Sequence, residues 1–171
     1  MADAGVFGAD ERVELLEGEI IEMAPIGSRH AACVARLTRL FQGRLGDRAL
    51  VWAQNPIRLG EHSEPQPDVA LLRPRDDDYA TAHPSADDVF LLVEVGDATA
   101  AWDREHKLPV YAGAGVVEVW LVDLPAGCIE VCRRPEGGDY QGRLTYAPGD
   151  HVAPDAFPDV RFDIADLLPP A

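Results

Sequence analysis

Lysine occurs once in this chain, at Lys107 in the run DREHKLPVY, although Lys and Arg together number 15. Arginine stays charged, whereas a lysine can lose its proton and act at a reaction centre. A lone lysine among arginines is therefore a candidate for chemistry. Two carboxylates precede it in apolar surroundings: Asp68 opens PDVALL and Glu94 lies near the end of VFLLVEV. If these two runs are strands paired antiparallel, the start of the first meets the end of the second. Asp68 then stands opposite Glu94 and Arg73 opposite Val89, with Asp68, Ala70 and Leu72 beside Glu94, Leu92 and Phe90 on one face.

Like charges opposed across strands repel, and burying a carboxylate costs on the order of several kcal/mol unless a cation compensates. Mg²⁺ (or Mn²⁺) suits such a pair, because it takes oxygen ligands and commonly combines one or two carboxylates with substrate phosphate. Lys107, returned to the carboxylates by the first turn of a following helix, would hold or deprotonate a water for attack on a phosphodiester. Taken singly, Asp68 reads as a turn cap and Glu94 as a strand end reaching solvent. The combination with Lys107 favours chemistry.

The elements that must position these residues follow from periodicity. RVELLEGEIIEM predicts a hairpin around Glu17-Gly18. Ser28 is placed as the N-cap of a helix carrying Val34, Leu37, Phe41 and Leu45 at helical spacing, with Gly46 as its stop. Arg29, Arg36, Arg39, Arg44 and Arg48 decorate it, as a solvated face rather than a phosphate-binding patch. ALVWAQNPIRL, PDVALLRP and DDVFLLVEV predict three strands, with a surface loop over RPRDDDYATAHPSAD. DREHKLPVYAGAG predicts a helix in which Pro109 belongs to the first turn, so Lys107 sits at or just before its start. VVEVWLVD is a buried strand, GCIEVCRR pairs with it, and VRFDIADLL packs back on the domain. The expected fold class is α/β (α+β), with a mixed sheet flanked by helices and an N-terminal hairpin.

Composition sets the outer bounds. At 171 residues and 47% hydrophobic content, residues 1–171 form one domain with a real core, with residues 1–10 expected to be flexible. No apolar run is long enough for a membrane span, and no basic, apolar leader opens the chain, so a cytoplasmic protein is expected. Cys33, Cys128 and Cys132 fit no zinc or redox spacing and read as reduced packing residues. A net charge of −15 opposes loose electrostatic binding to nucleic acid, so a phosphate substrate needs local arginines or metal ions. Three tryptophans and the apolar content favour a homodimer.

QPDVALL, LLVEVGDATAAWDREHKLPVYAGAGVVEVWLVD and IEVCRRPEGGDY resemble the Uma-two family of bacterial endonucleases, within the PD-(D/E)XK nuclease superfamily. The likeness runs from VELLEGEIIEMAP to FDIADLL. It implies a restriction-endonuclease-like core, Mg²⁺ (or Mn²⁺) as cofactor, and nucleic acid as partner, DNA favoured. The Pro-Asp of the superfamily falls on Pro67 and Asp68 and its acidic residue on Glu94. The usual lysine position is Gly96, and the resemblance assigns the missing role to Lys107. It adds His30 and Asp97 as further metal-ligand candidates, His30 standing evenly between the site and helix-end packing. Asp103 is read as a cap, Tyr111 as core with its hydroxyl towards the site, and Glu14 as a surface ion-pair partner. A non-catalytic binding module on the same scaffold, or a hydrolase of small phosphate esters, are the alternatives.

Overall fold

A computed structural model describes residues 12–97 and 99–170, so the expectation of a flexible segment over residues 1–10 lies outside the described residues. Strands β1 (Val13–Leu16) and β2 (Glu19–Glu22) form the expected antiparallel hairpin. Glu17 and Gly18 both turn through positive φ, +50° and +86°, as a two-residue hairpin turn demands. The hairpin stays outside the main sheet and docks on residues 62–66. Glu64 donates to the Leu15 carbonyl at 2.8 Å, Gly18 to that of His62 at 2.7 Å, and Glu17 to Ser63 Oγ at 2.9 Å.

Helix α1 (Ser28–Leu45) buries Cys33, Val34, Leu37, Phe41 and Leu45, the stripe its periodicity predicts. Its cap is Gly27 rather than Ser28. Gly27 is extended (φ −77°, ψ 160°), its carbonyl accepts from Ala31 at 3.0 Å, and Ser28 is already helical. Gly46 ends the helix with φ +53°. Two arginines of α1, and Arg48 in the turn just after it, reach the C-terminal segment. Arg36 donates to the Asp166 carbonyl at 3.1 Å, Arg44 to that of Arg161, and Arg48 forks onto Asp159 at 2.6 and 2.9 Å. They clamp the C-terminal segment onto the helix.

The main sheet runs β3 (Leu50–Ala53), β4 (Val69–Leu72), β5 (Val89–Gly96), β6 (Glu118–Asp123), β7 (Cys128–Glu136) and β8 (Asp139–Tyr146) in that spatial order. All neighbours are antiparallel except β5 and β6, which are parallel and linked by a helical crossover. Strand β8 is absent from the sequence reading. It is an edge strand whose only buried residue is Tyr140, so its polar composition carries no apolar alternation.

Between β4 and β5, Val69 pairs with Val93 and Ala70 with Leu92, the expected register, so Asp68 just before β4 and Glu94 near the end of β5 lie at the same end of the pair. A bulge between Leu71 and Leu72 then shifts the register, and Leu72 rather than Arg73 faces Val89. Phe90 is consequently carried to the face of Leu91, away from Leu92.

The sheet is covered on both faces. On one, α1 packs over Val69, Leu71, Leu91, Val93, Val95 and Trp120. The tail joins it through strand β9 (His151–Val152), paired with β10 (Phe162–Asp163), and helix α4 (Ile164–Leu167). Phe162 meets Phe41 edge-on at 5.2 Å. On the other face, Leu108, Tyr111 and Ala112 pack over Ala70, Leu72, Leu92, Val119 and Leu121.

The crossover corrects one expectation. Helical backbone begins at α2 (Ala100–Trp102), continues through a widened turn over Asp103–Lys107 and runs on as α3 (Leu108–Gly113). In the widened turn the Leu108 N–H bonds back five residues to the Asp103 carbonyl. Pro109 has no N–H and its ring would clash with a regular preceding turn, so the extra residue falls just before it. Lys107 is thus inside a continuous helical segment instead of at its start. Among the described residues, no helix is long and apolar enough to cross a membrane, and all three cysteines are free thiols.

Candidate active site

The start of β4, the end of β5, the first turn of α1, the hairpin and the α2–α3 segment converge on one cleft of ≈ 460 Å³. Asp68, Glu94, Lys107, His30 and Asp97 all line it, together with Arg12, Glu14, Glu22 and Asp103. Six carboxylates there face two side chains of fixed positive charge, Arg12 and Lys107.

Asp68 is 8% exposed and is held from two directions. Its Oδ2 accepts from the Val95 backbone N–H at 2.8 Å and lies 3.0 Å from His30 Nε2. Its Oδ1 receives only a long contact from Gln54 Nε2, 3.4 Å. The bond from Asp68 raises the His30 pKa above its ordinary 6.5 against the opposing effect of burial, favouring an imidazolium. Among the described residues His30 Nδ1 is buried with no hydrogen-bond partner, an orphaned polar atom within the cleft. His30 is therefore a cleft residue joined to Asp68, and simple helix-end packing does not describe it.

Glu94 is 3% exposed. Burial drives its pKa well above the ordinary carboxylate value, with Lys107 opposing and the neighbouring Asp103, Asp68 and Glu14 reinforcing the rise. Lys107 Nζ approaches its Oε1 to 3.3 Å, and the Tyr111 hydroxyl donates to the same oxygen. The placement of Tyr111, core ring and inward hydroxyl, is the expected one. Among the described residues no donor reaches Glu94 Oε2.

Lys107 is 4% exposed and surrounded by acids: Glu14 Oε1 at 3.2 Å, Glu94 Oε1 at 3.3 Å and Asp103 Oδ1 at 4.0 Å. Burial pulls its pKa down, but Glu94, Glu14 and Asp103 together outweigh burial and hold the ammonium above its ordinary value. Lys107 is a charged donor here. Asp103 is buried in the widened turn, its pKa raised by burial, and serves as an ion-pair partner rather than as a cap. Asp97 is exposed at the cleft rim and makes no ion pair with Lys107.

Glu14 is the residue the sequence reading misplaced. It is 5% exposed, pairs with Lys107, and its Oε2 accepts from the Gln66 backbone N–H at 3.2 Å. The signal was present: in β1, Glu14 shares a face with buried Leu16, and period-two alternation turns both inward.

Gly96 cannot carry a side chain in this fold. A Cβ there would lie 2.5 Å from Ala100 Cβ and 2.6 Å from Ala100 N and Cα, so the helix start leaves no room for a side chain. Lys107 instead reaches Glu94 from two turns further on.

The donor set suits a hard divalent cation. Asp68 and Glu94 each keep one oxygen free of strong protein donors, and Mg²⁺ commonly uses one or two carboxylates with the remaining positions left to water and phosphate. Among the described residues no group of three or more His, Cys, Asp or Glu side chains is placed to hold a metal ion, so the protein's share of such a site is the two carboxylates.

The family model of Uma2, described as "Putative restriction endonuclease", matches residues 2–165. The fold is similar to the crystal structure of a "putative nuclease belonging to DUF820" from Anabaena variabilis ATCC 29413. The two share a TM-score of 0.76 and 18% identity, over 96% of this chain and 94% of that one. No curated protein matches the chain.

Proposed function

This chain belongs to the Uma2 family, and on that footing we propose that it is a metal-dependent endonuclease acting on DNA, with Asp68, Glu94 and Lys107 at its centre. One observation carries the reading: two carboxylates from neighbouring strand ends share a cleft with the only lysine of the chain, which is hydrogen-bonded to one of them. The acid excess of the cleft points the same way, since a phosphodiester meets net repulsion there until cations are bound.

Asp68 and Glu94 would hold the cation, with His30 fixing Asp68 and Asp97 available at the rim. When bound, Mg²⁺ or Mn²⁺ supplies the positive charge that the phosphate and its leaving oxygen require. The protein's own groups do the positioning. Val95 N–H and His30 Nε2 orient Asp68, while Lys107 and Tyr111 orient Glu94. The Lys107 ammonium donates to the attacking water or to a phosphate oxygen, and its carboxylate partners disfavour its acting as the resting base. Water adds to phosphorus and gives up a proton to solvent, the bond to the leaving oxygen breaks, and that oxygen takes up a proton from solvent.

Cleavage of supercoiled plasmid by wild type, Asp68→Asn and Lys107→Arg, each with Mg²⁺, Mn²⁺ or EDTA, tests the proposal. Metal-dependent nicking by wild type alone is expected. Equal nicking by Asp68→Asn would remove this site from the reaction. The second reading, a binding module with a structural ion cluster, rests on the three carboxylates that already surround Lys107. It predicts a folded wild type with no cleavage and no metal response.

A further inference from the structure

We propose that Glu14 is a positioning residue of this site: from the β1–β2 hairpin it holds the Lys107 ammonium against Glu94, which makes the hairpin a working part of the site. The inference rests on the nuclease reading for its consequence but on geometry for its content.

Glu14 bridges two separate parts of the site. Its Oε1 lies 3.2 Å from Lys107 Nζ, slightly closer than Glu94 at 3.3 Å, and its Oε2 accepts from the Gln66 N–H at 3.2 Å. Gln66 precedes the Pro67-Asp68 pair, and its own side chain donates to the Val13 carbonyl at 3.2 Å. One side chain thus ties the segment leading into Asp68 to the ammonium beside Glu94. The hairpin holding it lies outside the main sheet and, among the described residues, buries one apolar side chain, Leu16, so a carboxylate turned inward there gains little from apolar packing. A residue needed only to dock the hairpin could be apolar. A carboxylate is explained by the cation it meets.

The contact is also directional. Lys107 has three N–H donors and three acid neighbours, with Asp103 the most distant at 4.0 Å. Removing Glu14 leaves the ammonium free to swing towards Asp103 or into the cleft. The nucleophile-orienting donor then loses its fixed place while Asp68 and Glu94 remain.

Glu14→Gln is the test variant, because the amide oxygen still accepts from Gln66 N–H while the ion pair is lost. Ser63→Ala is the control. It removes the hairpin anchor at Glu17 N–H, 2.9 Å away, and touches neither Lys107 nor the cleft. With one lysine in the chain, ¹⁵N-lysine labelling gives a single side-chain ammonium signal, visible when the group is held and shielded from solvent exchange. The signal is expected in wild type and Ser63→Ala and lost or broadened in Glu14→Gln. Turnover by Glu14→Gln should fall roughly tenfold or more, with KM for plasmid and Mn²⁺ affinity unchanged, since only transition-state positioning is lost. Glu14→Asp, which keeps the charge on a shorter arm, should recover part of both readouts.

An unchanged lysine signal in Glu14→Gln overturns the proposal, as does equal loss in Ser63→Ala. If Glu14→Gln does not fold, Glu14→Asp against Ser63→Ala decides by the same readouts. If wild type cleaves nothing, the nuclease reading fails on its own, and the lysine signal still decides whether Glu14 places Lys107.

Discussion

Lys107 Nζ stands 3.3 Å from Glu94 Oε1, with both side chains nearly sealed from solvent. The pair fixes the sign of several outcomes, because a buried charge is tolerated only while its partner remains.

Lys107→Met leaves Glu14, Glu94 and Asp103 buried without their cation. A stability loss on the order of 3–5 kcal/mol is expected by urea unfolding, the usual cost of breaking a buried pair from one side. Lys107→Arg keeps the charge and should lose less, while plasmid nicking disappears because the planar guanidinium cannot replace a compact ammonium. A Met variant as stable as wild type would show that the ion cluster contributes nothing to stability.

Glu94 sets a pH dependence. Its folded pKa is raised above 4.5, chiefly by burial. The folded state therefore binds this proton more tightly than the unfolded chain does. The contribution to stability is full below 4.5 and is lost as pH rises through the folded value. In EDTA, the stability of wild type relative to Glu94→Gln should fall as pH rises above 4.5. A difference that stays flat across that range would mean that Glu94 is ionised throughout.

Metal binding should be read from stability as well as from cleavage. Mg²⁺ or Mn²⁺ at a hundredfold excess over its Kd stabilises a single site by about 2.7 kcal/mol. Thermal melts of wild type should move upward with cation, and those of Asp68→Asn should not. Manganese EPR counts the bound ions directly. An undiminished shift in Asp68→Asn would place the cation elsewhere.

Gly96→Ala should destabilise the protein by about 1–3 kcal/mol, because the new Cβ meets backbone atoms of Ala100 that cannot step aside. For the same reason Gly96→Lys, which places a lysine two residues after Glu94, should not rescue nicking in Lys107→Met. Rescue would show that the helix start can retreat from β5.

The helical stripe of α1, the hairpin turn at Glu17-Gly18 and the antiparallel pairing that brings Asp68 and Glu94 to one end of β4 and β5 were all legible in the sequence, because each follows from a local period or a local turn. The membership of Lys107 in the site was legible too, through its uniqueness and the family pattern. Strand β8 was not, since an edge strand with one buried side chain needs no apolar alternation. The bulge at Leu71/Leu72 and the widened turn before Pro109 were also hidden. Each inserts one residue's worth of offset into a regular period, and the packing of both faces decides where it falls.

What the sequence determined alone is which residues could do chemistry and which strand ends carry two of them. Only the tertiary structure decided the company they keep. Glu14 and Lys107 lie far apart along the chain, and no local pattern records that the hairpin folds over the α2–α3 segment. The charge state of Lys107 follows from that meeting. Burial alone would lower its pKa, and three carboxylates from three separate elements reverse the direction.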